Sequence, residues 1–366
     1  GFAACGKLFN SLFGINYQVA MMLSALLIVG YTITGGFNAV CVTDLVQSIV
    51  MTGALAIVLI YGISRAGGWT AVMDNAAALP GYLSLTSTFD VASGSEVKYN
   101  FLTIFSTAAW GLGYFGMPHI LVRFMAIEDE KKLVLSRRTA SVWVVIAMTA
   151  GVLIGIVGLG MTKAGALETL TGSNSETIIV RIAGIISQHN ALTALIAGII
   201  LAGILAATMS TADSQMLAAA SGVSQNIVHD FLKIKISEKT NLLIARLTIV
   251  GIAIVSIFLA RNPNSSVFKI VSFAWAGFGG AFGAVVLCSL FWKRCNLAGA
   301  IAGIISGGAT VFIWKYLIRP LGGILDIYEL LPAFIVSLIF IIVVSLLTKA
   351  PDEEIVREFE AAGKKA

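Results

Sequence analysis

The sequence predicts an all-α integral membrane protein of about nine transmembrane helices, and three observations carry that prediction. Only 12% of the 366 residues are Asp, Glu, Lys or Arg, about half the share in a soluble domain and too few to coat a wetted surface. Mean hydropathy is +0.92. No Asp, Glu, Lys or Arg occurs in 8–43, 45–64, 99–122, 139–162, 182–212, 270–292, 295–314 or 330–348. A span needs about 20 apolar residues to cross roughly 30 Å of hydrocarbon, and these runs mostly reach it. The length could hold two or three soluble domains, but the hydropathy points to one membrane bundle. Backbone polar groups in lipid must be satisfied internally, so the spans are expected to be helices. The alternating strands of a membrane barrel do not give runs this uniformly apolar.

In chain order the expected spans lie near 16–36, 45–63, 101–121, 141–161, 191–217, 241–260, 268–291, 297–317 and 330–348. The sixth carries Arg246 near its start, where the side chain can snorkel to the headgroups. The longest polar stretch, 64–100, separates the second and third spans. Another, 162–190, contains the turn-like Thr171-Gly172-Ser173-Asn174, and its end is expected to form a short helix lying on the surface. Loops on the opposite side are short and charged, notably Glu128-Asp129-Glu130-Lys131-Lys132. In the tail, 349–366, Glu353, Glu354, Ile355, Val356 and Phe359 are spaced as a short amphipathic helix.

The formal net charge of +5 does not indicate nucleic acid, because the basic residues sit in short loops between spans. With the tail inside and the spans alternating backwards, the inner side collects Arg123, Lys131, Lys132, Arg137, Arg138, Lys233, Lys235, Lys239, Arg246, Lys293, Arg294, Lys349, Arg357, Lys364 and Lys365. That bias follows the positive-inside rule. It predicts a multi-pass protein of the inner (plasma) membrane with a cytoplasmic C-terminus and Gly1 outside. The chain shows no signal peptide and begins at Gly1 rather than Met, so a missing N-terminus is expected. Cys5, Cys41, Cys288 and Cys295 form no C-x-x-C pair, and those in or near spans read as small packing residues.

Glycine is frequent inside the spans. Gly299, Gly303 and Gly307 make a face that lets helix backbones approach closely, and packing accounts for them. Gly111, Gly113 and Gly116 in the third span, and Gly277, Gly279, Gly280 and Gly283 in the seventh, interrupt hydrophobic segments. Unwound backbone of that kind exposes carbonyls and amides to a ligand, although glycine is common in membrane helices anyway. Both readings stand.

Chemistry concentrates in three places. In the fifth span, Ala207, Ser210, Thr211 and Ser214 share one helix face. Two or three hydroxyls there, with the Ala207 carbonyl if the helix is locally loosened, suit a hard cation such as sodium. The bland alternative is that the hydroxyls bond back one turn along the helix. Asp213 is a carboxylate in or beside a span, a functional candidate by default, unless it lies solvated at the inner interface. Asp44, the sole charged residue between Lys7 and Arg65, stands just before the second span. There it complements the helix dipole, a role compatible with an ion path. In the third span Trp110 and Tyr114 fall at i, i+4 on one face, and Pro118 prevents a regular helix. Aromatic faces beside a broken helix suit a small solute with an apolar body and a cationic amine, or simply pack. His119 has no partner at metal spacing. Gly1–Leu8 resembles a phosphate loop but has Leu8 where a hydroxyl belongs. Asn264-Ser265-Ser266 is a weak glycosylation signal. Three scattered histidines supply no acid–base or metal constellation, so an enzyme is not expected.

Several motifs in order resemble the solute:sodium symporter family, and most closely its bacterial sodium/proline carriers. They are Gly35-Gly36…Thr43-Asp44…Gln47, Trp110-Gly111-Leu112-Gly113-Tyr114-Phe115-Gly116…Pro118-His119-Ile120…Arg123-Phe124, Met209-Ser210-Thr211 and Ala274-Trp275-Ala276-Gly277-Phe278-Gly279. The resemblance runs over almost the whole chain. It implies a fold of two inverted five-helix repeats, with 1–63 ending the first, 101–291 forming the second, and accessory helices in 297–348. It further implies a sodium site at Ala207, Ser210 and Thr211, and a proline pocket including Trp110, Tyr114 and Pro118. Asp44 matches a carboxylate linked to sodium, and Asp213 and Ser214 fall where some members hold a second ion. The expected activity is sodium-coupled symport of a small solute, L-proline first, with Na+ as coupling ion and no other cofactor. Pantothenate, another amino acid, a compatible solute, or a transporter-like sensory domain are the alternatives. Without the helices that precede Gly1 in the family, this segment alone is not expected to transport.

Overall fold

The computed structural model describes residues 1–234 and 237–365, with side chains as far as Gly363. Lys235, and the side chains of Lys364 and Lys365, all counted above towards the inner side, lie outside the described residues. The helices are α1 (Phe2–Phe13), α2 (Tyr17–Arg65), α3 (Trp69–Ala77), α4 (Phe101–Ala108), α5 (Pro118–Met125), α6 (Leu133–Lys163), α7 (Ile178–Ser187), α8 (Ala191–Ser221), α9 (Glu238–Leu259), α10 (Val267–Phe278), α11 (Ala284–Phe291), α12 (Leu297–Ile313), α13 (Leu330–Leu347) and α14 (Glu353–Lys365). An antiparallel hairpin of β1 (Ser87–Asp90) and β2 (Ser95–Lys98) pairs Ser87 with Lys98 and Asp90 with Ser95.

Among the described residues, seven helical segments are long and apolar enough to cross a membrane. Eight of the nine expected crossings map onto these seven segments, one of which carries two, and the third expected crossing, 101–121, falls on none of them. Spans one and two are joined in α2, whose 49 residues are interrupted at Gly36 (φ 69°, ψ 178°), a backbone conformation that a side chain disfavours. The hydroxyls of Tyr31 and Thr43 meet across this break. Twelve residues of straight helix would separate them by about 18 Å, so the two arms fold back on each other. The third span is broken as well: α4 tightens into a 3-10 turn over Ala109–Gly116, and α5 starts afresh at Pro118. Met117 is extended, as the residue before a proline prefers.

The chain forms two compact units. The first, Gly1–Leu83 with Ile127–Val267, has two cores. Val58 of α2, Val157 and Met161 of α6, Ile182 of α7 and Ile200 of α8 form one. Phe2 and Cys5 of α1, Met21 and Ile28 of α2, Met216 of α8 and Ile249 of α9 form the other. Helix α7 forms where a short helix was expected. It buries the face of Val180, Ile182, Ala183 and Ile186 and leaves Arg181 and Ser187 exposed. Asn190 begins α8 with a reciprocal cap to Thr193, and Trp143 Nε1 donates to Thr52 Oγ1 at 3.1 Å. Large apolar side chains such as Leu26, Leu27, Val142, Leu195 and Ile254 point away from these cores and stay exposed, the faces that lipid would cover.

The second unit, Ser84–Ala126 with Phe268–Ala366, holds the hairpin, the broken third span and α10 to α14. Helices α10 and α11 are joined by a π-turn at Gly279–Gly283. Gly299, Gly303 and Gly307 of α12 pack as expected: a Cβ on any of them would come within 2.0–2.3 Å of Ser345, Ile341 or the Gly280 carbonyl. The unit boundary falls inside 101–291 and so cuts across the expected second repeat.

Candidate cation and substrate sites

Helix α8 is regular through 207–214, without the local loosening on which a part for the Ala207 carbonyl was made conditional. The oxygens gather without it. Ser210 Oγ donates to the Ala207 carbonyl at 3.2 Å, and Thr211 Oγ1 donates to the same oxygen at 3.1 Å. The back-bonding foreseen as the plain alternative is therefore what the helix does, and it also brings three hard oxygens together on one face.

One turn on, Ser214 connects this face to α2. Its Oγ lies 2.8 Å from the Ser210 carbonyl, 3.3 Å from Asp44 Oδ2 and 3.4 Å from Asp213 Oδ1. A hydroxyl has one proton to give, so these three acceptors compete for it. Asp213 is fully buried and accepts the Ser214 backbone N–H at 2.6 Å, which removes the reading of a carboxylate solvated at an interface. Asp44 also differs from expectation. It lies two helical turns beyond Gly36, inside α2, too far from a helix start to serve as an N-terminal charge. Its approach to Ser214 defines its setting instead. Two carboxylates within reach of one hydroxyl gather hard oxygens of the kind a cation takes.

The aromatic candidates belong to the second unit. Trp110 and Tyr114 lie in the 3-10 turn, so the helical i, i+4 argument does not apply to them. Trp275 joins them instead. It stacks on Trp110 at 5.6 Å, meets Tyr114 edge-on at 4.7 Å, and donates Nε1 to the Trp110 carbonyl at 2.9 Å. Trp110 also stacks on Phe268 and Tyr328, so its ring is largely engaged in packing. Tyr114 and Pro118 are exposed. Gly113 makes the arrangement possible: a Cβ there would lie 2.0 Å from Trp275 Nε1.

Residue-by-residue reading missed Trp275, whose motif carried the resemblance without a role, and Glu329. Glu329 is fully buried and bonded to Lys315 at 3.2 Å and Arg319 at 3.0 Å. Next to it, Tyr328 donates its hydroxyl to the Ser272 carbonyl at 2.7 Å. Burial and the Glu329 carboxylate push the Tyr328 phenol up from its usual range. Among the described residues no group of three His, Cys, Asp or Glu side chains could hold a metal ion. Any cation here would rest on hydroxyls, carbonyls and one or two carboxylates.

A family model described as the sodium:solute symporter family matches residues 1–307. The osmoregulated proline transporter OpuE of Bacillus subtilis strain 168 is 38% identical over 359 residues, covering 98% of this chain and 69% of that protein. A sodium/proline symporter of Staphylococcus aureus is 37% identical over 357 residues, covering 96% and 66%. The chain thus spans about two thirds of the length of these relatives. A solved structure of a Na+-coupled sialic acid symporter, substrate-bound and outward-open, superposes with a TM-score of 0.73 at 19% identity. It covers 96% of this chain and 71% of that one, and at that identity the likeness is one of fold.

Proposed function

The chain belongs to the sodium:solute symporter family, a multi-pass membrane transporter family and not an enzyme family, and on that premise we propose that it serves sodium-driven uptake of L-proline by alternating access. The observation that carries the sodium half is the oxygen cluster on α8. One sodium is held by the Ala207 carbonyl and the Ser210 and Thr211 hydroxyls, and a second by Asp44, Ser214 and Asp213. The membrane is the plasma membrane, with the C-terminus cytoplasmic. The proline half rests on the two proline-carrying relatives, and Trp110, Tyr114 and Pro118 contribute to the solute pocket.

An ion takes lone pairs of these oxygens while the hydroxyl protons stay directed at backbone carbonyls of α8, so binding needs little motion of the helix. A sodium moving inward gains about 2.3 kcal/mol per 100 mV, and a tenfold gradient adds about 1.4 kcal/mol. Together they sustain an accumulation of several hundred-fold for a neutral solute with each sodium that is coupled. Coupling requires that sodium and solute each favour the other's bound state.

The test is radiolabelled L-proline uptake into proteoliposomes containing the full-length gene product under an imposed sodium gradient. Sodium-dependent accumulation supports the reading. Uptake of pantothenate or another amino acid in place of proline keeps the mechanism and changes the pocket. No sodium-driven flux of any of them overturns it in favour of a sensory role.

A further inference from the structure

Gln47 was quoted above only as part of a motif, yet its side chain stands out among the polar groups of α2. Its amide oxygen Oε1 is shut off from solvent and has no hydrogen-bond partner among the described residues. A buried acceptor left open costs free energy unless something fills it. Gln47 follows Asp44 by three residues within the helical arm beyond Gly36, so the two side chains lie on neighbouring turns of one face.

The packing of that arm on α8 fixes what faces Gln47. Asp44 meets Ser214. Further along, a Cβ on Gly203 would lie 2.7 Å from the Ala54 Cβ and 3.5 Å from the Met51 Cα. Numbering rises on α2 as it falls on α8, so the two run antiparallel. Both climb 1.5 Å per residue, which places the residue three past Asp44 level with the residues three or four before Ser214. Those are Thr211 and Ser210.

We infer that the Gln47 amide oxygen is a further ligand of the sodium held by Asp44 and Ser214, on the side of that site level with Ser210 and Thr211. The inference rests on the sodium reading above and adds a residue to it. An amide carbonyl is a neutral hard oxygen of the kind such ions take. It supplies coordination without adding a third charge beside Asp44 and Asp213.

The test uses the full-length gene product in proteoliposomes, with sodium titrations of L-proline uptake and direct 22Na+ binding. The variants are Gln47→Leu, Gln47→Met, Gln47→Glu and Ser210→Ala, each first checked for wild-type melting temperature and gel-filtration profile in detergent. Gln47→Leu is expected to raise the sodium half-saturation about tenfold, corresponding to about 1.4 kcal/mol. The solute half-saturation at saturating sodium stays within twofold, which a merely structural defect would not reproduce. Gln47→Met, as flexible as Gln but lacking the oxygen, shows the same rise and stands in if the Leu variant does not fold. Gln47→Glu keeps the oxygen and is expected to bind sodium at least as tightly as wild type. A sodium half-saturation within twofold of wild type in a folded Leu or Met variant overturns the inference, as does a Glu variant weakened like them. If wild type shows sodium binding or sodium-driven uptake and Ser210→Ala shifts it, such a result counts against Gln47 alone. If wild type shows neither, the parent reading fails with it.

Discussion

Ser214 Oγ lies 3.3 Å from Asp44 Oδ2, joining positions 170 residues apart in the chain. One hydroxyl proton shared between this carboxylate and two further acceptors means that no pair is independent of the others. Asp44→Asn and Ser214→Ala are each expected to raise the sodium concentration needed for half-maximal uptake. In the double variant the effects fall short of additive by about 0.5–3 kcal/mol, as for residues in one network. Sodium titrations of the four members of the cycle decide it, and strict additivity would refute a shared site.

Ser210 and Thr211 both donate to the Ala207 carbonyl. Removing either hydroxyl takes away an ion ligand while leaving the carbonyl one donor, so the helix should be little disturbed. Ser210→Ala or Thr211→Ala should each raise the sodium requirement several-fold, about 1 kcal/mol, with unchanged thermal stability. An unaltered sodium curve in both removes these residues from the ion site.

Gly113→Ala places a methyl group 2.0 Å from Trp275 Nε1. Overpacking of this kind costs about 1–3 kcal/mol. A lower melting temperature in detergent is the expected outcome, partly restored by adding Trp275→Phe, which removes the crowding edge. Failure of the second change to recover any stability would mean that the clash is relieved elsewhere.

The Glu329 cluster should respond asymmetrically. Its carboxylate is fully buried, while Lys315 and Arg319 keep about a third of their side-chain surface in contact with solvent. Replacing both cations by Met strands the carboxylate and is expected to cost about 3–5 kcal/mol. Glu329→Gln leaves cations that can turn to water and costs less. Chemical denaturation of the three proteins reads the order, and equal losses would contradict the burial argument.

Asp90 caps its own turn. Its carboxylate accepts Ser93 Oγ at 2.6 Å, Ser93 N at 3.0 Å and Ala92 N at 3.3 Å. These bonds, the Ser93 hydroxyl foremost, hold its carboxyl below the usual carboxylate range. A depressed folded-state pKa contributes stability above the unfolded value of about 3.9, and that contribution is lost as pH falls through the lower folded value. Protection of the Ser93 and Gly94 amides, taken relative to intrinsic exchange at each pH, should hold at neutral pH and fall below about pH 4. Asp90→Asn should flatten that dependence.

The spans were legible because charge-free runs and lipid thickness leave few alternatives, and the face 207–210–211–214 followed from helical periodicity alone. What escaped depends on contacts that no local window contains. The fold-back at Gly36 moved Asp44 from a helix start to a helix interior. The bond from Trp275 Nε1 to the Trp110 carbonyl in the 3-10 turn joins positions 165 residues apart. Glu329 finds Lys315 and Arg319 only after α12 and α13 have packed. The hairpin 87–98 and helix α1 were too short, or too mixed in composition, to stand out from loop.

The break in α2 also bears on how this protein enters its membrane. Between Tyr31 and Thr43 the chain reverses through Gly36 with Asn38 as its most polar residue and no charged side chain. Such a bend offers neither arm a hydrophilic anchor at which to pause during synthesis. The unit to be inserted is therefore a single 49-residue helical hairpin, with Asp44 carried in on its second arm.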